Sequence, residues 1–390
     1  MKKIKVGETV KLGDYNTGKV EKAVSDGENF YFASENEGFS KFSKYTFSGD
    51  LVWQKTIDYG FDEGLHSVEI TEDDNILFTA SSLSGTSYLN KYSQNGDLLW
   101  SKSFSGAIHD IEENNNIVYV SGGIGAQNKF NSSRSPFVSA YDLATGNQLW
   151  SNEYYDTTAA FFTDLELTKD SLYAIGSYYG RADYDWGVVA KIDLEGNQIW
   201  SSKTDDEGWN NFQNGVVVGD QLVVTGMRPG SDRQDARAVS FDLTNGNQLW
   251  NNSWSVPNVQ FPETIEKFGD SIYLTYMDGV PWGYWAGTSQ FENGDTKVLE
   301  INDNGQIIRT QSYDFDSQGE LPRDLFIGND SLYLIGQTHI GNSNYETYIT
   351  KLKSEEPIND RVRGNSIYSI VEGPNWTWKE AQSESLKLGG

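Results

Sequence analysis

Few side chains in this chain are suited to covalent or metal chemistry. It holds three histidines, His66, His109 and His339, and no cysteine. The absent thiol excludes disulfides, thiolate metal sites and cysteine nucleophiles. The histidines share no zinc-ligand spacing, and no HExxH motif is present. His66 and His109 fall near the start of two corresponding strand runs and read as ordinary polar residues near a channel rather than as a catalytic pair. There is no Gly-x-Ser-x-Gly nucleophile elbow. Residues Gly13-Asp14-Tyr15-Asn16-Thr17-Gly18-Lys19-Val20 come near a phosphate loop, but no Ser or Thr follows the lysine and no helix follows the loop. Acidic clusters occur at Asp73-Asp74, at Asp205-Asp206-Glu207, and at Asp314 with Asp316 and Glu320. None completes an EF-hand loop, which needs several oxygens converging on one point. They read as solvated turns. No catalytic residue is assigned, metal ligands stay unassigned, and no cofactor is expected other than calcium.

The side chains best suited to holding a ligand non-covalently are aromatics set beside Arg and Asp. They are Tyr178, Tyr179, Arg181, Asp185 and Trp186, then Arg228 and Arg233, then Trp282, Tyr284 and Trp285, with Trp209 from a neighbouring segment. Aromatic faces stack on sugars or peptides while polar groups orient them. All but Trp209, which belongs to an inter-blade loop, fall within 178–187, 228–237 and 278–297, which with 123–136 read as long loops. The opposing reading is that the aromatics only pack the loops against one another.

A repeat must position these loops. Gly146-Asn147-Gln148-Leu149-Trp150 returns as Gly196-Asn197-Gln198-Ile199-Trp200 and as Gly246-Asn247-Gln248-Leu249-Trp250. Looser copies end at Trp53 and Trp100, and a sixth, from Gly305, puts Arg309 in the tryptophan place. A period of about fifty residues marks a repeat architecture. Two further signals recur seven times each. One is a turn followed by an aromatic or β-branched run, as in Ser171-Leu172-Tyr173-Ala174. The other is a strand ending like Tyr141-Asp142-Leu143. A looser strand, such as 162–167, precedes each first signal. Four short strands per period, joined by Gly, Asn and Asp turns, describe a four-stranded antiparallel blade.

The tryptophan strand has six copies against seven of the others, so the last blade lacks one strand. The chain has a spare strand near residues 3–12. Aligning Gly7 with Gly49 sets Lys11 at the tryptophan position and predicts that this strand completes the seventh blade. The fold class is therefore all-β, a seven-bladed propeller closed by its N-terminal strand, over residues 1–353. The tryptophans are expected to pack between blades.

Composition limits the partners. Fifty-six acids face 30 bases, for a net charge of −26, while Trp, Tyr and Phe make up 14% of residues. Such a surface disfavours nucleic acid, whose phosphates need a Lys/Arg footprint, and anionic membrane surfaces. No apolar run is long enough to span a bilayer. Residues 1–7 are basic with no apolar run behind them, so no secretory signal is read there.

The stretch Tyr141 to Trp150 resembles the repeat of pyrroloquinoline-quinone-type propellers and of seven-bladed propellers in large secreted bacterial proteins. The resemblance covers residues 1–353 and implies architecture; function must come from the site. An active quinone-dependent dehydrogenase of that type would carry a vicinal cysteine pair and a calcium-coordinating acid, which this chain does not show. Residues 354–364 read as a linker. Residues 365–390, with Trp378, Ala381 and Leu388-Gly389-Gly390, resemble the start of a C-type-lectin-like domain and imply a longer multidomain chain. Together these readings lead to the expectation of a non-catalytic, extracellular or cell-surface binding module for a glycan or protein ligand, with a dehydrogenase-like enzyme or a structural scaffold as alternatives.

Overall fold

A computed structural model describes residues 8–12, 19–36, 39–58, 63–82, 86–124, 135–154, 160–179, 185–204, 211–229, 234–254, 259–280, 295–313, 320–341, 344–354, 361–363 and 366–368. Two compact units emerge, Met1–Lys353 and Ser354–Gly390. In the second, the described residues form a small hairpin, Arg361–Arg363 paired with Ser366–Tyr368. The lectin-like residues Trp378, Ala381 and Leu388 to Gly390 lie outside the described residues.

The first unit is a seven-bladed propeller of four-stranded antiparallel sheets. Blades one to six span residues 19–57, 63–105, 107–153, 160–203, 211–254 and 259–313. Blade seven takes three strands from 320–354 and its fourth from Thr9–Leu12, the N-terminal strand. That strand runs antiparallel to Asn344–Ser354, with Thr9 opposite Thr350 and Leu12 opposite Thr347. The two threonine hydroxyls meet at 2.8 Å. The innermost strand of each blade touches those of both neighbours, so contacts run round a closed ring. Closure leaves only short outer edges.

The expected closure is therefore observed, with one correction. Lys11 faces Tyr348, three positions from where it was expected. Glu8, whose carbonyl accepts from Lys351 N, takes the register of the tryptophans. A four-residue strand outside the repeat rhythm has no turn glycine to fix its register, and Gly7 was a false anchor.

The core sits between blades. Side chains alternate across a strand, so Phe30 and Phe32 face blade seven while Tyr31 and Ala33 face blade two. Each of the seven seams holds its own apolar cluster built this way. This explains why the second strand of each blade reads as a continuous apolar run: both its faces are buried.

The tryptophans clamp the outer half of the seams. The indole N–H groups of Trp53, Trp100, Trp150, Trp200 and Trp250 donate to the carbonyls of Gln94, Leu143, Leu194, Leu243 and Asp303, each in the next blade, at 3.0–3.4 Å. Each ring lies over that blade's turn glycine. Gly196 has φ +90°, and a Cβ there would sit 2.9 Å from Trp150 Cε3. Glycine meets both the positive φ and the lack of room. The preceding Asp shapes the turn: Asp193 Oδ1 accepts from the backbone N–H of Glu195 and of Asn197. The tryptophans are half-buried rather than enclosed, because the strand that carries them faces water on its outer side.

Candidate functional site: the central channel and the variable face

All seven innermost strands break register at the same height. The shifts fall between Val20 and Ala23, Leu65 and Val68, Ile108 and Asp110, Phe162 and Asp164, Phe212 and Asn214, Pro262 and Ile265, and Pro322 and Asp324. An inserted residue kinks a strand and re-aims the side chains around it. In blades three, four, five and seven the neighbouring strand yields by carrying glycine: a Cβ on Gly176 would lie 2.1 Å from the Phe161 carbonyl oxygen, and one on Gly226 1.8 Å from that of Asn211.

The residue that closes each bulge is polar: Lys22, Ser67, Asp110, Asp164, Asn214, Thr264 and Asp324. These side chains stitch the inner ends of the blades together. Asp110 Oδ2 accepts from Leu165 N, Asp164 Oδ2 from Gly215 N, and Asp324 Oδ2 from Ala23 N, at 2.7–3.1 Å. Asn214 Nδ2 donates to the Glu263 carbonyl, and Thr264 Oγ1 to Asp324 Oδ1. Hydrogen bonds from backbone N–H to a carboxylate are among the stronger kinds. Lys22 crosses from blade one to Asp110 of blade three at 2.7 Å, and Ser67 donates to the same oxygen.

These strands enclose a central cavity of about 980 Å³. Its lining includes Glu21, Glu69, Asp110, Glu112, Asp164, Glu166, Glu263, Glu266 and Asp324, against the cations Lys22 and Arg323. Burial penalises the charged carboxylates, and crowding adds to it. Burial raises Glu69 to about 8 and Glu263 and Glu266 to about 7, in each case against the pull of nearby cations. Asp324 rises to about 6, with Lys22 and its hydrogen bonds opposing. Glu112, Asp164 and Glu166 are pushed well above the carboxylate range, first by burial and then by a neighbouring carboxylate: Glu69 for Glu112, Asp110 for Asp164 and Asp164 for Glu166. Burial works to lower Lys22, but Asp110, Asp164 and Asp324 together hold its ammonium well above the usual lysine value. The channel is thus a negative well that retains protons near neutrality, with Lys22 and Arg323 as counter-ions and Lys22 bound to Asp110. Among the described residues, no group of three or more His, Asp or Glu converges in a way that could hold a metal ion.

Of the two histidines expected near the channel, His109 lines it, its ring stacked on Phe161 at 5.4 Å. His66 occupies the matching bulge of blade two in the backbone.

Of the expected ligand residues, Tyr178, Tyr179, Asp185, Trp186 and Arg228 are described, at the second-to-third-strand ends of blades four and five. Tyr178 and Trp186 are cross-strand partners in blade four, their rings 6.0 Å apart, with the Lys203 ammonium 5.9 Å from the Trp186 ring centre. Tyr179 pairs with Asp185, and Arg228 with Asp235, in backbone register. The loop boundaries need correction. Strands run through Tyr179 and Pro229 and resume at Asp185 and Gln234. Tyr178, Tyr179, Asp185 and Trp186 are therefore strand residues, because the aromatic pair extends the ladder, and Arg228 is one as well. Arg181, Trp209, Arg233, Trp282, Tyr284 and Trp285 lie outside the described residues. The acidic channel was missed. The available signal was the repeated acid in the innermost strands, as in Asp110 with Glu112 and Asp164 with Glu166.

Comparison with known proteins places this geometry. A family model described as outer membrane protein assembly factor BamB matches residues 40–175 and 122–270. Among solved structures, BamB from Moraxella catarrhalis is 16% identical over 86% of this chain and 85% of its own, with a TM-score of 0.50. Hydrazine synthase from Kuenenia stuttgartiensis is 11% identical over 83% and 93%, at 0.57. The WD40 propeller domain of Doa1 is 11% identical over 90% and 97%, at 0.55. At these identities the structures share the fold. No curated protein matches the chain.

Proposed function

Because the chain belongs to the outer membrane protein assembly factor BamB family, we propose that it is a non-catalytic scaffold of the cell envelope that binds a protein partner through one propeller face. The observation that carries this reading is the difference between the two faces. On one face the turns are near-copies: Gly49, Gly96, Gly146, Gly196, Gly246 and Gly305 all adopt positive φ in the same short connection. On the other, the step from second to third strand varies widely. It is short from Asn36 to Phe39 and from Gly341 to Asn344, but long from Ile124 to Ser135 and from Val280 to Asp295. Uniform turns serve the scaffold, whereas variable connections on a rigid frame are where recognition resides. The test is photocrosslinking in cells from single sites on each face. Probes at Tyr178 and Arg228 should give a discrete adduct, and probes at Thr145 and Asn245 on the uniform face should not. Equal labelling from both faces, or none from the variable one, overturns the proposal.

A glycan is a second occupant of the same rim, favoured by the Tyr178–Trp186 pair with Lys203 beside it. That arrangement suits stacking on a sugar face and would make the protein a cell-surface adhesion module. Glycan-array binding lost in Trp186→Ala supports it; no binding by the unaltered protein rejects it.

A further inference from the structure

We propose that blade seven is the ring's opening segment, held to blade six by a salt-sensitive ionic latch in the place where other seams carry a tryptophan clamp. The comparison is position by position. At the seam of blades four and five, Tyr173 Oη, Lys191 Nζ and Trp200 Nε1 all donate to one carbonyl, that of Leu243. At the seam of blades two and three, Lys91 and Trp100 do the same to Leu143. At the seam of blades six and seven the matching residues are Tyr273, Glu300 and Arg309. The tryptophan has gone and the lysine has become an acid.

The partner has changed to match. Lys353 of blade seven reaches back, donating to Tyr273 Oη at 2.7 Å and to Glu300 Oε1 at 3.2 Å. Ser271 and Tyr273 hydroxyls donate to the same carboxylate oxygen at 2.9 and 2.8 Å, and Arg309 lies 3.3 Å from the other. Glu300 is nearly buried, but the two cations are 43% and 55% exposed, so salt reaches the pair. The inner part of this seam is apolar like the others, with Phe268 and Val298 against Leu332 and Leu334. The difference is confined to the outer edge.

The seam on the other side of blade seven also lacks a tryptophan, but an aromatic group replaces it. Phe47, from the turn of blade one, sits 4.6 Å from Tyr333 and 6.4 Å from Phe326 of blade seven. With the N-terminal strand paired there as well, that seam is the hinge and the ionic seam is the opening edge.

Hydrogen exchange on the full chain tests this. Raising NaCl from about 0.05 to about 1 M should speed exchange in residues 344–353 by about tenfold and in blade four by less than about twofold. Lys353→Gln alters an exposed side chain and should exchange fast at both salt levels. Glu300→Gln should behave alike, and the double variant should add nothing. An equal salt response in blades four and seven overturns the proposal, as does a salt response that survives in Lys353→Gln.

Discussion

Replacing Trp150 by alanine tests the clamp that joins one blade to the next. The indole donates to the Leu194 carbonyl at 3.1 Å and covers Gly196, while its outer face meets water. A half-buried tryptophan removes about 100 Å² of apolar surface from solvent, worth about 2.5 kcal/mol at roughly 25 cal/mol per Å². The lost hydrogen bond adds about 1 kcal/mol. Trp150→Ala should therefore cost about 3.5 kcal/mol, and Trp150→Phe nearer 1 kcal/mol. The control is the adjacent Leu149, which is 53% exposed and should cost no more than about 1 kcal/mol on truncation. Urea denaturation of the three variants, followed by tryptophan-independent circular dichroism, measures these differences as shifts in midpoint at constant slope. If Trp150→Ala is no more damaging than Leu149→Ala, the tryptophans do not hold the blades together.

Further expectations concern the channel. Its carboxylates have folded-state pKa values raised above those of the unfolded chain: about 8 for Glu69, about 7 for Glu263 and Glu266, about 6 for Asp324. The folded state therefore binds more protons than the unfolded state above the ordinary carboxylate range, so stability falls as pH rises toward these values. Melting temperature should be higher near pH 5 than near pH 8.5, and Glu69→Gln with Glu266→Gln should flatten that slope; a melting temperature that climbs over this window rejects the electrostatic picture. Lys22→Met removes an internal counter-ion and leaves Asp110 without its cation. It should cost about 3 kcal/mol at pH 8 and less at pH 5, where the neighbouring acids take up protons; a cost that does not depend on pH contradicts the assigned role.

The legibility of the chain followed its periodicity. The glycine–tryptophan strand and the aromatic runs announced both blade number and strand order, because each repeat meets the same neighbours and needs the same residues. The missing seventh tryptophan strand led to the N-terminal strand in the same way. The channel stayed hidden because a bulge resets side-chain direction in every innermost strand, so simple alternation does not show that the adjacent His109 and Asp110 both line the cavity. The boundaries at Tyr178 and Trp186 were misjudged because an aromatic cross-strand pair extends a ladder past the point where turn residues usually end it. The replacement of tryptophan by Arg309 was visible as an exception, but its partner Lys353 could be identified only through the fold.

The central claim is a ring closed by its own first strand, and the absence of cysteine allows a clean test. Thr9 and Thr350 face each other across the closing pair, 341 residues apart in sequence. The double substitution Thr9→Cys with Thr350→Cys should oxidise to a single intramolecular disulfide. Closing so long a loop should raise stability by up to about 5 kcal/mol and shift the urea midpoint upward on oxidation alone. A double variant that keeps both thiols free under oxidising conditions, or crosslinks only between molecules, would contradict the closed ring.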